Sequence, residues 1–162
     1  MIVANSTPLI NFATIHRLDI IEQLFGKIVI PKAVEMELVE KGERYPTAKE
    51  LQDATFIEIM EIQNITLYNL LKLNLDEGEA ESITLALEQK AELLLLDELA
   101  GRAIAQFHNI PFIGSIGCLV KAKSIGIIPK IKPLLDAMCT EARFWIDNDL
   151  YQSILNDNNE KG

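Results

Sequence analysis

The chain has 162 residues, of which 49% are hydrophobic and 24% are charged, as is typical of one globular domain with a substantial core. Its formal charge of −9 argues against broad neutralisation of nucleic-acid phosphates, because that mode of binding requires a surplus of Lys and Arg. A polyanionic substrate would need a local basic patch or a bound cation. Cys118 and Cys139 form no CxxC pair and the two histidines are isolated, so a structural zinc site is not expected.

The sequence favours a cytoplasmic protein without membrane contact. The amino terminus lacks the basic segment of a signal peptide, and no apolar run approaches the roughly 18 residues of a membrane span. Both cysteines lie in apolar surroundings, as expected for buried thiols in a reducing compartment.

The first segment combines a short strand with a helix start. Residues 2–4 predict a buried strand, and in NSTPLI either Ser6 or Thr7 would cap a helix that has Pro8 in its first turn, where a missing N–H is harmless. This assignment leaves Asn5, at the carboxyl end of the strand, without a role other than that of a turn residue.

Strand and helix signals then alternate along the chain. Strands are predicted at residues 28–30, in FIEIMEI, in AELLLL and around residues 112–113, with helical patterns between them. Asn64 and the boxes beginning at Thr47 and Asp76 predict helix starts. The pattern after Pro129 is helical to the end, except that NDNNEKG is expected to be disordered.

This alternation predicts an α/β fold, a three-layer α/β/α sandwich with a mainly parallel central sheet. We assign residues 1–140 to this domain and residues 141–162 to a helical extension with a disordered tail.

Polar side chains follow two of the predicted strands, where functional groups of parallel sheets collect. Ala4 runs into Asn5, and the AELLLL strand runs into Asp97. On the helices, Glu37 lies near a predicted buried face, and Glu79 lies in a first turn. We therefore expect these four side chains to meet at one edge of the sheet.

Each of these residues also has a structural explanation when it is taken singly. The helix dipole favours an acid such as Glu79, Asp97 could cap a helix, Glu37 could lie on a solvated face, and Asn5 could be a turn residue. Three carboxylates at one edge would, however, raise one another's pKa values unless a cation joined them. Hard oxygen ligands without His or Cys favour Mg²⁺ or Mn²⁺.

The sequence resembles PIN domains, the metal-dependent ribonuclease fold, and in particular short bacterial PIN-like proteins with NTSPLI or a similar motif at the first strand. Four segments carry the resemblance over about residues 1–130: VANSTPLINFA, IPKAVEMELVEKG, DEGEAESITLALEQKAELLLLDELAGRA and FIGSIGCLVKAKSIGIIP. Glu79 and Asp97 are 18 positions apart, as are two acids in many PIN toxins. The resemblance implies metal-site positions for Asn5, Glu37, Glu79 and Asp97, with Ser6 and Ser115 as helpers.

Two departures from the PIN pattern concern the metal site. Position 5 is Asn where most active PIN nucleases have Asp, and Glu79 replaces a commoner Asp. A neutral amide oxygen can still coordinate Mg²⁺, so we expect weakened rather than abolished cation binding, by Coulomb terms of a few kcal/mol at an effective dielectric of about 20.

The resemblance implies a Mg²⁺- or Mn²⁺-dependent endoribonuclease, the toxin of a toxin–antitoxin pair, with RNA as substrate, a small antitoxin protein as partner and a homodimeric state. The candidate RNA contacts are Arg102, Lys121 and Lys123, although a solvated surface also explains these residues. The candidate dimer contacts lie near Leu70-Leu71 and Leu134-Leu135.

Three alternatives compete with the nuclease. A catalytically weak or inactive PIN-like scaffold that binds RNA or a protein is supported by Asn5. A phosphotransferase of the haloacid dehalogenase type would require an Asp nucleophile at position 5. A dinucleotide-binding Rossmann domain is disfavoured because no GxGxxG follows a strand.

Overall fold

The computed structural model describes residues 1–44 and 48–161. The elements in chain order are β1 (Ile2–Ala4), α1 (Ser6–Thr14), α2 (Leu18–Phe25), β2 (Ile28–Pro31), α3 (Lys32–Arg44), α4 (Ala48–Gln52), β3 (Ile57–Met60), α5 (Ile65–Leu71), α6 (Glu77–Glu88), β4 (Leu93–Leu95), α7 (Leu99–Phe107), β5 (Phe112–Ile113), α8 (Ser115–Ser124), α9 (Lys132–Glu141) and α10 (Asn148–Asp157). The helix cap predicted at Thr47 lies outside the described residues.

The five strands form one parallel sheet in the order β3-β2-β1-β4-β5. The chain builds outwards from β1 to β3 on one side and then crosses back to place β4 on the other side of β1. In β1 and β4, Ala4 lies opposite Leu95, so both strands end at the same edge. This is the point at which the strand order reverses, where parallel sheets characteristically form their clefts.

Helices cover both faces of the sheet. Neighbouring strand residues point to opposite faces, and apolar side chains on each face pack against these helices. In β4, Leu95 joins the core formed with α1, α2, α8 and α9, while Leu94 joins the core formed with α6 and α7. In β1, Ala4 and Val3 divide between the two cores in the same way. The predicted three-layer α/β/α sandwich with a parallel sheet is confirmed.

Local signals located two helix starts correctly. The Asn64 side chain accepts a hydrogen bond from the Leu67 N–H at the start of α5. Asp76 and Glu79 form a capping box at the start of α6, in which each side chain accepts from the other residue's backbone N–H. Both predicted caps are confirmed.

The carboxyl-terminal region differs from the prediction in two places. The helix expected after Pro129 is interrupted between α9 and α10, where Arg143 has a φ of 55°. The tail expected to be disordered makes contacts after α10, since Glu160 forms an ion pair with Lys123 at 2.8 Å. Ile154 and Leu155 of α10 belong to the core that contains α1.

Within the described residues, no helix is both long and apolar enough to cross a lipid bilayer.

Candidate functional site at the carboxyl edge of the sheet

Asn5 lies at the centre of this edge. It follows β1 directly, its backbone N–H donates to Leu95 O at 2.9 Å, and its side chain is buried. Its amide Nδ2 donates to Glu98 Oε2 at 3.3 Å, and its Oδ1 lies 3.4 Å from the Ser82 hydroxyl, which donates to Gly78 O at 2.7 Å. Asn5 therefore joins the ends of β1 and β4 to helix α6.

The hydroxyls after Asn5 hold carboxylates instead of capping α1. The Ser6 Oγ donates to Glu37 Oε2 at 2.6 Å, and the Thr7 Oγ1 donates to Glu98 Oε1. Asn5 occupies the N-cap position of α1, without a side-chain cap hydrogen bond. The prediction that Ser6 or Thr7 caps the helix is therefore wrong, because both hydroxyls are directed towards acids from distant parts of the chain.

Glu37 approaches the backbone of α6 at Gly78. A Cβ atom on Gly78 would lie 2.2 Å from Glu37 Oε1 and 3.3 Å from Asn5 Oδ1, so a side chain at this position would displace the Glu37 carboxylate. Burial raises the pKa of Glu37, the hydrogen bond from Ser6 lowers it, and the charge of Asp76 raises it further. The net direction is upward.

Glu79 is buried in the first turn of α6. Its Oε2 accepts from the Asp76 N–H at 3.4 Å, so this acid also supports the start of the helix. Burial, followed by the charges of Asp76 and Glu98, raises the pKa of Glu79 to about 7. The Glu79 carboxyl group therefore lies near other acids and also takes part in the capping box of α6.

Asp97 is held by a second set of partners at the same edge. Its Oδ1 accepts from the Ser115 N–H at 2.7 Å, and its Oδ2 accepts from the Ser115 hydroxyl at 2.6 Å and from Asn11 Nδ2 at 3.4 Å. An Arg102 guanidinium nitrogen lies 3.7 Å from Oδ1. Burial raises the pKa of Asp97, although both Ser115 hydrogen bonds oppose this rise.

Comparison with known families assigns the fold. A family model described as a PIN domain matches residues 1–160. The chain belongs to the PIN domain family. PIN domains are generally nucleases, which makes hydrolysis of nucleic acid the general activity of the family. None of the curated proteins matches the chain significantly. The more specific branch with an NTSPLI-type motif stays a prediction.

Divalent metal ions are typical of PIN nucleases, and the donors at this edge suit such an ion. Carboxylate and amide oxygens without His or Cys are what Mg²⁺ and Mn²⁺ prefer. The charges of Glu98 and Glu37 both raise the pKa of Glu79, and a cation would relieve that repulsion. As arranged in residues 1–44 and 48–161, however, no three His, Cys, Asp or Glu side chains are grouped closely enough to hold a metal ion. The donor chemistry fits, and the side chains would have to draw closer around an ion.

Two side chains of this PIN domain were missed in the sequence. Glu98 contacts both Asn5 and Thr7, and its only sequence signal was its place directly after Asp97. Asn11 is buried and donates to Asp97 and Ser115; its signal was a polar residue inside the apolar run PLINFA.

The predicted RNA contacts separate in space. Arg102 lies at the edge, where its Nε donates to Leu96 O at 3.0 Å. Lys121 is exposed and lies over the Phe25 ring at 5.4 Å. Lys123 instead donates to Asn158 O and Glu160 in the carboxyl-terminal tail. The ammonium group of Lys123 is therefore paired within the chain, and its contact with RNA stays a prediction.

Proposed function

We propose that this PIN domain is a Mg²⁺- or Mn²⁺-dependent endoribonuclease. The observation that supports the proposal best is that Glu37, Glu79 and Asp97 lie at the carboxyl edge of the sheet of a nuclease-family fold, near enough to Glu98 that its charge raises the pKa of each. Glu37, Glu79 and Asp97, with the Asn5 oxygen, would hold the ion. A bound divalent cation supplies a water molecule of lowered pKa and stabilises negative charge that develops on a leaving oxygen.

The remaining residues orient these groups and the substrate. Ser6 fixes the Glu37 carboxylate, and Ser115 with Asn11 fixes that of Asp97. A guanidinium nitrogen of Arg102 lies 3.7 Å from Asp97, and a guanidinium there can hold a phosphodiester oxygen of RNA by paired hydrogen bonds.

Metal-dependent cleavage of RNA by the purified protein tests the proposal. We expect cleavage with Mg²⁺ or Mn²⁺ and none after chelation. Glu37→Gln and Asp97→Asn should abolish it, whereas Glu40→Gln, an exposed acid three positions further along α3, should not change it. Asp97→Asn is preferable to Asp97→Ala because Asp97 also supports the start of α8. Cleavage that persists in folded Glu37→Gln and Asp97→Asn would contradict the proposed site.

A non-cleaving scaffold is the second candidate, and one contact favours it. The Asn5 amide donates to Glu98, so a neutral side chain replaces one negative charge where the ion would bind. Such a protein would bind RNA and leave it intact at saturating Mg²⁺ and Mn²⁺. Retention of an uncut oligonucleotide in a gel-shift experiment, with no product on a denaturing gel, would favour the scaffold.

We further propose that the protein is the cytoplasmic toxin of a toxin–antitoxin pair and a homodimer. Induced expression should then arrest growth, Glu37→Gln should not, and a small protein encoded beside it should relieve the arrest. Light scattering should give twice the monomer mass. Of the four leucines expected at the dimer contact, Leu71 and Leu135 lie in the core, which leaves exposed Leu70 as the stronger candidate.

A further inference from the structure

A groove opens beside Asp97 between the start of α7, the turn from β5 into α8, and the segment that joins α9 to α10. Its volume is about 640 Å³, within the roughly 300–1,000 Å³ typical of sites for small ligands. Its lining contains two acids, Asp97 and Asp147, one cation, Arg102, and an apolar set that includes Phe112, Phe144, Trp145 and Leu150. Of these residues, the proposed function above uses only Asp97 and Arg102.

Trp145 is the most informative of these residues. It is the sole tryptophan of the chain, and it is 81% exposed in the segment between α9 and α10. Leu150, also on the wall of the groove, is 50% exposed. An aromatic face this open, in the same groove as a candidate catalytic acid, is well placed to stack on a flat ligand.

Arg102 joins this aromatic surface to the acidic edge. Its guanidinium carbon lies 5.4 Å from the centre of the Phe112 ring, and its Nε is fixed by Leu96 O at 3.0 Å. A guanidinium nitrogen of the same side chain lies 3.7 Å from Asp97 Oδ1. A cation held between an aromatic wall and a carboxylate suits a ligand that carries both a flat ring and a negative charge.

We propose that the groove binds a nucleobase of single-stranded RNA, stacked on Trp145, with an adjacent phosphate on Arg102. This inference rests on the proposed function and adds a base-binding subsite beside the acidic edge. The acidic edge repels phosphates, so a nucleotide enters where Arg102 offsets that charge and where stacking contributes affinity independent of charge. A base within a duplex is already stacked and does not enter the groove.

Trp145 fluorescence tests the stacking directly, because no other tryptophan contributes. The full chain is titrated without divalent metal with a ten-nucleotide single-stranded RNA, with an abasic strand of the same length, and with the corresponding duplex. We expect single-stranded RNA to quench Trp145 fluorescence, and the abasic strand and the duplex to leave it unchanged.

Variants then measure the contribution to affinity by the anisotropy of labelled RNA. Trp145→Ala should weaken binding by about 5- to 100-fold, and Trp145→Phe should weaken it less, since a phenyl ring still stacks. Phe107→Ala is the matched control, because Phe107 is 80% exposed on the same helix as Arg102 but does not line the groove. Its affinity should equal that of the wild type.

The outcomes separate this inference from the proposed function. Quenching by single-stranded RNA supports the stacking site even if no cleavage follows when Mg²⁺ is added, a result that would overturn the nuclease alone. Cleavage with unchanged Trp145 fluorescence would overturn the stacking site alone. Equal quenching by the abasic strand, or unchanged RNA affinity in Trp145→Ala, would also overturn it and would leave the groove to another occupant, such as a protein segment.

Discussion

Asn5 makes contacts that a carboxylate could make only in part. Its amide nitrogen donates to Glu98, and its oxygen lies 3.4 Å from the Ser82 hydroxyl. A carboxylate would keep the acceptor and lose the donor, and it would place a second negative charge beside that of Glu98. The neutral amide therefore stabilises the metal-free edge at the expense of affinity for a cation.

Asn5→Asp should consequently destabilise the metal-free protein, by about 1–3 kcal/mol for a lost hydrogen bond to a charged partner. Affinity for Mg²⁺ or Mn²⁺ should rise, so saturating cation should raise the melting temperature of the variant more than that of the wild type. Asn5→Ala loses the same hydrogen bond without adding charge and should show no extra response to metal. Calorimetric titration and thermal melts measure both effects, and equal metal affinities would mean that Asn5 is only a turn residue.

The pKa of Glu79 makes stability depend on pH. Burial and neighbouring acids raise this pKa from 4.5 to about 7 in the folded protein. The folded state then holds a proton that the unfolded state releases, so this contribution to stability is complete below pH 4.5 and is lost as pH rises to about 7.

Glu79→Gln removes the ionisable group and should flatten this dependence. In urea unfolding with chelator present, the stability of the wild type relative to Glu79→Gln should fall between pH 4.5 and about 7 and then stay constant. Parallel curves for the two proteins across this range would show that Glu79 titrates normally.

At the scale of elements, the site depends on the close approach of α3 to α6. Glu37 reaches past Gly78 towards Asn5, and Ser82, one turn further along α6, contacts the same Asn5 oxygen. The capping box of Asp76 and Glu79 holds the start of α6 in this position. The Glu37 carboxylate can thus occupy its position because Gly78 has no side chain.

Gly78→Ala should reduce activity strongly while changing stability little. The added methyl group would displace the Glu37 carboxylate, which is the mobile end of a long side chain, so the free energy of unfolding should change by about 1 kcal/mol or less. Cleavage should fall by about 100-fold, as expected when a catalytic group is misplaced by about 1 Å. Glu77→Ala, an exposed neighbour, should retain activity. Full activity in Gly78→Ala would show that the position of Glu37 is unimportant.

Over the whole molecule, the carboxyl-terminal tail ties together elements that are distant in the chain. Glu160 Oε2 accepts from Ile131 N–H and from Lys123, both at 2.8 Å, and its Oε1 accepts from the Lys132 N–H at 3.0 Å. One carboxylate therefore supports the start of α9 and binds α8. The same region carries Trp145 and α10, which border the groove beside Asp97.

Glu160→Ala should lower stability by about 2–3 kcal/mol, because two backbone N–H groups lose their acceptor and the Lys123 ammonium keeps only Asn158 O. Glu160→Gln keeps an acceptor oxygen and should cost less. Glu141→Ala, an exposed acid at the end of α9, provides the control in thermal melts. A melting temperature equal to that of the wild type would mean that the tail does not contribute to folding.

The sequence by itself determined the features that depend on a few consecutive residues or on periodicity. Alternating strands and helices, the Asn64 cap and the capping box at Asp76 are local, and the sheet they imply brings strand ends such as Asn5 and Asp97 to one edge. Only the tertiary structure decided which partners those residues have. The hydroxyls of Ser6 and Thr7 were free in sequence to cap α1, yet they bind acids that lie 31 and 91 positions away. A hydrogen bond forms where folding brings a donor and an acceptor within about 3 Å, and no local pattern encodes that proximity.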